Sequence, residues 1–272
     1  MIEINDMSYK YPSQKERVFS GFNLKLEENR IYGLLGKNGT GKTTLIYLIS
    51  GLLYPDEGSV RIDGHEASKR EAEMLREIFL VPDEFELHNL PLREYVRLNR
   101  PFYPRFSDEV LHRCLNDFEL DDTTRMNSLS LGQRKKLFMS FALATQTKYL
   151  FMDEPTNGLD IPSKSQFRRV IAQCMADERV IIISTHQVHD VEQLLDHILI
   201  LDQRDILLNA SIDEIGRRYT FEYRTEVDMA DDILYAEPSL QGNAVIARRL
   251  EGSAESQVNL ELLFNAATQG KL

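Results

Sequence analysis

Cysteine is scarce in this chain. Of 272 residues only Cys114 and Cys174 carry a thiol, and neither has a neighbouring Cys or His at metal-binding spacing. That excludes a disulfide scaffold and a Cys/His zinc site, and points to two reduced thiols packed in helices. Long apolar runs are also missing: nothing approaches the ~20 residues that span a bilayer. The opening MIEINDMSYKY has no apolar core of a secretion signal, so a cytoplasmic protein is expected. Positive charge is short too, with 32 Lys and Arg against 43 Asp and Glu for a net charge of −11. A nucleic-acid or anionic-lipid surface needs a basic footprint, so the charge argues against both, and no nucleic-acid partner is expected. There is no low-complexity tract and no repeat at a solenoid period. What is present is an ordinary globular composition, 42% hydrophobic and 28% charged, long enough for one large core or two modest ones.

Texture changes along the chain divide it. Residues 1–35 alternate strand-like pieces with turns (IEINDMSYKY, FNLKLEENR), ending in the short apolar IYGLLG, which suits a buried strand before glycines. TTLIYLISGLL has helical periodicity and stops near Gly51; GSVRIDG and EIFLVP read as strands, the second closed by Pro82. From about 84 to 147 helical stretches dominate: LREYVRLNR, DEVLHRCLNDF and QRKKLFMSFALATQ. Strands then return in KYLFMDEP, RVIIISTH and HILILDQ, with helices expected around SKSQFRRVIAQCMADE and VHDVEQLLD. Such alternation predicts an α/β fold, a parallel sheet with helices on both faces interrupted by a helical insertion. Beyond about 205 two short strands (TFEYRTEV, NAVIARRL) and a closing helix, LELLFNAAT, predict a small appended lobe.

The chemistry starts at Gly36-Lys37-Asn38-Gly39-Thr40-Gly41-Lys42-Thr43, which fits G-x-x-x-x-G-K-[ST] between an apolar strand and a helix. Glycines let successive backbone N–H groups wrap a β-phosphate, Lys42 neutralises β/γ oxygens, and the Thr43 hydroxyl reaches Mg²⁺. The alternative is a glycine-rich turn without a ligand. KYLFMDE ends an apolar strand in Asp153 and Glu154: the first can hold the metal shell and the second can polarise an attacking water, unless the pair is a solvated turn or a helix cap. His186 closes the strand RVIIISTH at its carboxyl end, where open α/β sheets bind ligands. The other five histidines read as structural.

LSLGQ, residues 129–133, precedes a helical run and leaves two readings open. Ser130 beside Gly132 is either a plain helix N-cap or a helix end aimed at a phosphate, since free N–H groups and the dipole make that end an anion site.

Together Gly36–Thr43, LSLGQ, LFMDEP, NGLD (157–160) and His186 resemble, in order and approximate spacing, the motifs of ATP-binding-cassette ATPases over roughly residues 1–205. The resemblance implies a P-loop NTPase (RecA-like) core with an antiparallel β subdomain and an inserted helical subdomain at about 84–147. Residues 206–272 are then a small C-terminal α+β extension. It implies ATP and Mg²⁺ as cofactors. By that resemblance Asp153 is the second metal arm, Glu154 the catalytic carboxylate and His186 the switch that senses the γ-phosphate. Tyr11 stacks on adenine, with Tyr9 as the fallback, and an ordinary strand tyrosine is the bland reading of either. Thr44, next after the P-loop, joins the nucleotide-binding set with Ser130, Gly132 and Gln133, and Asp160 links two nucleotide sites across a dimer. Two positions depart from the pattern: Asp83 stands where a metal-touching glutamine is usual, and Leu131 where the first of two glycines is usual. Asp83 can still accept hydrogen bonds from a metal shell and is kept in the metal set with Thr43 and Asp153.

By the same resemblance the chain is the ATP-driving subunit of a transporter whose permease is a separate chain. Two ATP-binding subunits, identical or different, sandwich ATP, and the assembly sits on the inner face of the cell membrane. The segment 83–98 offers apolar residues to the permease, or else Phe85, Leu87 and Leu90 pack the helical subdomain. The ending VNLELLFNA is similar to those of drug- and antibiotic-exporter subunits, which favours export. The alternatives are a soluble cassette ATPase acting on a non-transport complex, and a nucleotide-dependent regulator that hydrolyses weakly.

Overall fold

The structure is a computed structural model and describes residues 1–272 apart from 86–89, 122–125, 203–204, 226–231, 241, 251 and 253–255. Strands β1 (Ile2–Tyr9) and β2 (Phe19–Leu26) form an antiparallel pair, and β3 (Arg30–Leu35) leads through the glycine-rich loop into helix α1 (Lys42–Ile49). β4 (Glu57–Ile62) and β5 (His65–Glu66) complete an antiparallel sheet in the order β2-β1-β4-β5. α2 (Ala72–Leu75) then precedes β6 (Ile78–Val81). The helical insertion carries α3 (Leu92–Asn99), α4 (Asp108–Asp117) and α5 (Leu131–Ala144). β7 (Tyr149–Asp153), α6 (Ile161–Gln173), β8 (Val180–Thr185), β9 (His197–Asp202) and β10 (Asp205–Ser211) follow. The chain ends with α7 (Ile212–Arg218), β11 (Tyr219–Arg224), β12 (Ile233–Ser239), β13 (Gly242–Arg248) and α8 (Leu260–Thr268).

The central sheet runs β10-β9-β3-β8-β7-β6, parallel except for the edge pair β9–β10. Its middle strands are buried on both faces, which is why they read as unbroken apolar runs. Successive side chains nonetheless point to different cores. Ile181 and Ile183 of β8 face the side covered by α4, α5 and α6, while Val180 and Ile182 face α1 and the antiparallel sheet. Leu150 and Met152 of β7 go with the first pair, Tyr149 and Phe151 with the second. A third cluster, around Leu92, Leu111, Leu115, Leu129 and Leu137, holds the insertion together.

Three expectations change. The helix expected at VHDVEQLLD is instead two 3₁₀ turns, Val188–Asp190 and Glu192–Leu194. Val188, Val191 and Leu194 are buried at a spacing of three, the period of a 3₁₀ turn rather than an α-helix. β10 is hydrogen-bonded to β9 within the central sheet, so that sheet continues past the boundary expected at 205. The three-stranded sheet β11-β13-β12 and α8 share the main core: Phe221, Ile246, Leu260, Leu263 and Ala266 lie in one buried cluster with β7 and β8. β12 has no clear sequence signal because Pro238 interrupts it, which only an edge strand tolerates, and β12 is at the edge. The two cysteines, distant in sequence, meet across α4 and the end of α6 with Sγ atoms 3.9 Å apart.

Candidate active site

The carboxyl ends of β3, β7 and β8 lie side by side, since each strand pairs in parallel with the next. The loop 36–41, Asp153-Glu154 and His186 leave the sheet at this common edge. Gly41 immediately precedes α1 at φ +101, and a Cβ there would stand 3.0 Å from both Val18 and Phe19. Glycine is therefore required for the loop to turn into the helix with its N–H groups free. Lys42 is buried, and its ammonium folds back to donate to the Gly36 and Lys37 carbonyls at 2.7 and 3.2 Å. Burial pushes the Lys42 ammonium below the ordinary lysine range, opposed by the charges of Glu154 and Asp153.

Both oxygens of buried Asp153 are held by hydroxyls: Thr43 donates to Oδ2 at 2.6 Å, and Ser184 donates to Oδ1 in a short contact. Glu154 follows in a left-handed backbone conformation, φ +45, which costs a residue with a Cβ roughly 1–2 kcal/mol. Polar contacts pin it there. Its N–H donates to the Ser184 carbonyl at 3.1 Å and to Ser184 Oγ at 3.2 Å, and its carbonyl accepts from Lys135 at 3.3 Å. The side chain lies 3.6 Å from the Lys42 ammonium and 2.9 Å from His186 Nδ1. A carboxylate backed by a histidine and a buried lysine, at the mouth of a cleft, suits the polarisation of water.

That cleft, about 550 Å³, is lined by Tyr11, Asn38, Gly39, Gly41, Lys42, Thr43, Thr44, Asp83, Asp153 and Glu154, together with Gln14, Val18, Tyr47 and Glu84. Tyr11 lies at its edge with its hydroxyl 3.1 Å from Thr44 Oγ1; Tyr9 is buried beneath it, the rings edge to face at 5.1 Å. Of these two, Tyr11 is therefore the one open to a ligand. Among the described residues no three His, Cys, Asp or Glu side chains are grouped to hold a metal by themselves. The hydroxyl and carboxylate oxygens of Thr43 and Asp153 suit Mg²⁺, which binds one or two carboxylates and completes its shell with phosphate oxygens and water. Asp83 lines the cleft, but its Oδ1 is taken by Lys135 at 2.9 Å and Asn157 Nδ2 at 3.3 Å.

Ser130, Gly132 and Gln133 do not line this cleft. They form the start of α5, where a reciprocal capping box joins them: Gln133 N–H donates to Ser130 Oγ, and Ser130 N–H donates to Gln133 Oε1 at 3.0 Å. The cap reading of LSLGQ thus holds. Leu131 is in the first turn, outside the set of residues with positive φ, and is 60% exposed beside Gly158 of the NGLD turn. Its Cβ therefore strains nothing in the chain itself. Asp160 caps α6 by accepting from Ser163 N–H at 2.9 Å, and hydrogen bonding from the Ser163 side chain first, then from its N–H, holds the Asp160 carboxyl below the usual range. Ser184 and Lys135 escape sequence reasoning. Ser184 is an inconspicuous polar residue in an apolar strand, and Lys135 reads as part of the basic run Arg134-Lys135-Lys136.

Comparison with known proteins bears directly on this geometry. Residues 19–157 match the family model described as ABC transporter. The chain belongs to the ABC transporter family. It is an ATP-binding subunit of that family, an ABC ATPase with a P-loop NTPase core. The bacitracin transport ATP-binding protein BcrA of Bacillus licheniformis is 32% identical over 223 residues, covering 80% of this chain and 72% of that protein. The cobalt import ATP-binding protein CbiO of Salmonella typhi is 32% identical over 233 residues, covering 79% of this chain and 82% of that protein. Among solved structures, an ATP-binding subunit of an ABC transporter superposes with a TM-score of 0.71 at 25% identity, covering 80% of this chain and 92% of that one. Among the described residues no helix of the cassette is long and apolar enough to cross a membrane.

Proposed function

We propose that this ABC ATPase powers a separate membrane permease by ATP-dependent closure of two cassettes, with hydrolysis carried by Glu154. The single observation that bears most on this is the polar set at the strand ends, in which Lys42, Thr43, Asp153 and Glu154 converge on one cleft and His186, outside its lining, backs Glu154. The loop N–H groups and Lys42 bind the β- and γ-phosphates, and Tyr11 receives the adenine. Thr43 and Asp153 would hold Mg²⁺, which would neutralise phosphate charge when bound. Glu154 accepts a proton from the attacking water, and His186 orients Glu154 through Nδ1, its Nε2 lying 3.3 Å from the Gln187 side-chain amide. Ser130, with the Gly132 amide and Gln133, serves the nucleotide of a partner cassette, because the capped start of α5 is exposed and lies outside the chain's own cleft.

A largely apolar groove of about 630 Å³ between the end of α1, α2, β6 and the end of α3 supports permease docking. Phe102 and Leu98 stand exposed at and beside it. Phe85 instead stacks on Phe138 of α5 at 4.6 Å and so packs the insertion, while Leu87 lies outside the described residues. Export is the direction we propose, on the likeness of the C-terminal ending to exporter subunits. The test of the central claim is Glu154→Gln: ATP binding is retained, a stable ATP-dependent dimer accumulates, and turnover disappears. A mutant that hydrolyses ATP at the wild-type rate removes Glu154 from the role.

A further inference from the structure

Asp83 is one of four carboxylates, with Glu84, Asp153 and Glu154, on a cleft that is built to receive a polyphosphate. Like charges at such a site repel one another and the incoming anion unless one is neutralised. Lys135 does this. It projects from α5, is buried to 3% exposure, and places its ammonium 2.9 Å from Asp83 Oδ1. The same ammonium donates to the Glu154 carbonyl at 3.3 Å. That carbonyl belongs to a residue held at φ +45, a conformation that persists only where its surroundings fix it. Ser184 fixes it from the β8 side and Lys135 from the α5 side.

We propose that Lys135 is a positioning residue for hydrolysis: its ammonium cancels the Asp83 charge and braces the main chain from which the Glu154 carboxylate projects. This rests on Glu154 being the hydrolytic carboxylate. Lys135 lies one turn into the helix that Ser130 caps, so one rigid element joins the helix end offered to a partner's nucleotide with the carboxylate of the chain's own cleft. A neutral side chain at 135 fills the same space and loses both contacts at once. It leaves Asp83 charged beside the phosphates and the Glu154 main chain held from the β8 side alone.

The test compares Lys135→Met, Asp83→Asn and the double mutant with wild type, with Glu154→Gln run in parallel. Lys135→Met lowers kcat at least ~10-fold while the ATP dissociation constant stays within ~3-fold, the split expected of lost positioning rather than lost binding. Asp83→Asn also lowers kcat, because a buried ammonium is left without its counter-charge. The double mutant is faster than Asp83→Asn but stays below wild type, since the coupling between the two charges is absent while the contact to the Glu154 carbonyl is still lost. Without nucleotide, the melting temperature falls for Asp83→Asn and not for Lys135→Met, because the orphaned cation is buried whereas Asp83 is 33% exposed and can be hydrated. A Lys135→Met protein with wild-type kcat overturns the proposal, and so does a double mutant as slow as Asp83→Asn with a raised Mg²⁺ requirement, which makes Asp83 a metal ligand. If Glu154→Gln itself turns over normally, the underlying reading of Glu154 fails instead.

Discussion

Ser184→Ala isolates the contribution of one hydroxyl. Ser184 is fully buried, its Oγ donates to Asp153 Oδ1, and it accepts from the Glu154 N–H at 3.2 Å. Alanine keeps the Cβ and removes only the oxygen, so the cavity term is small. What is lost is a hydrogen bond to a buried carboxylate, worth about 1.5–3 kcal/mol, while the Glu154 N–H keeps the Ser184 carbonyl at 3.1 Å. For a domain of this size a loss of about 2 kcal/mol lowers the melting temperature by about 4–8 °C. Asp153 is then held by Thr43 alone and can rotate away from the metal position, so kcat falls by about 10-fold and more Mg²⁺ is required. The assays are thermal unfolding without nucleotide and steady-state ATPase rates over an Mg²⁺ titration. An unchanged melting temperature with an unchanged Mg²⁺ requirement would refute the claim that Ser184 orients Asp153.

Ser130→Arg leaves ATP binding by the single cassette intact and blocks ATP-dependent dimerisation, read by size exclusion with Glu154→Gln as background; a variant that dimerises normally returns LSLGQ to a plain helix cap. Lys148→Met separates pH regimes. Lys148 donates to Glu28 at 2.7 Å and to Asp63 at 2.9 Å, and its hydrogen bond is the leading cause holding the Glu28 carboxyl below the usual range. For Asp63 burial pushes the other way, and the hydrogen bonds from the chain's amino group, Lys148 and Tyr149 together outweigh it. Carboxyls lowered in the folded state stabilise it above their unfolded pKa of about 4 and lose that contribution as pH falls through the folded values. The melting-temperature gap between wild type and Lys148→Met is therefore open at neutral pH and closes in acid; a gap that widens in acid contradicts the assignment.

Much of the site was legible in the sequence because its parts are local. The P-loop is one contiguous stretch whose spacing dictates its geometry, and Asp153-Glu154 and His186 each end an apolar strand. A strand end next to a polar residue is itself a positional signal. The N-cap at Ser130 is likewise a local signal, while the reciprocal bond from Gln133 emerged only from the structure. Lys135, Ser184 and the meeting of Cys114 with Cys174 were not legible, because each acts on a partner distant in the chain. The turns at 188–194 read as α-helix in sequence because a spacing of three fits both periods over so short a run.

Sequence alone determined the strand and helix alternation, the phosphate loop and the identities of the acids, since these follow from periodicity, glycine conformations and residue chemistry within short windows. Tertiary structure decided what the acids do together. Parallel pairing of β3, β8 and β7 aligns three strand ends that lie far apart in sequence, and α5 folds back to bring Lys135 onto Asp83 and the Glu154 carbonyl. A carboxylate's neighbours set its charge, orientation and reach, and only the packed sheet and helices supply those neighbours.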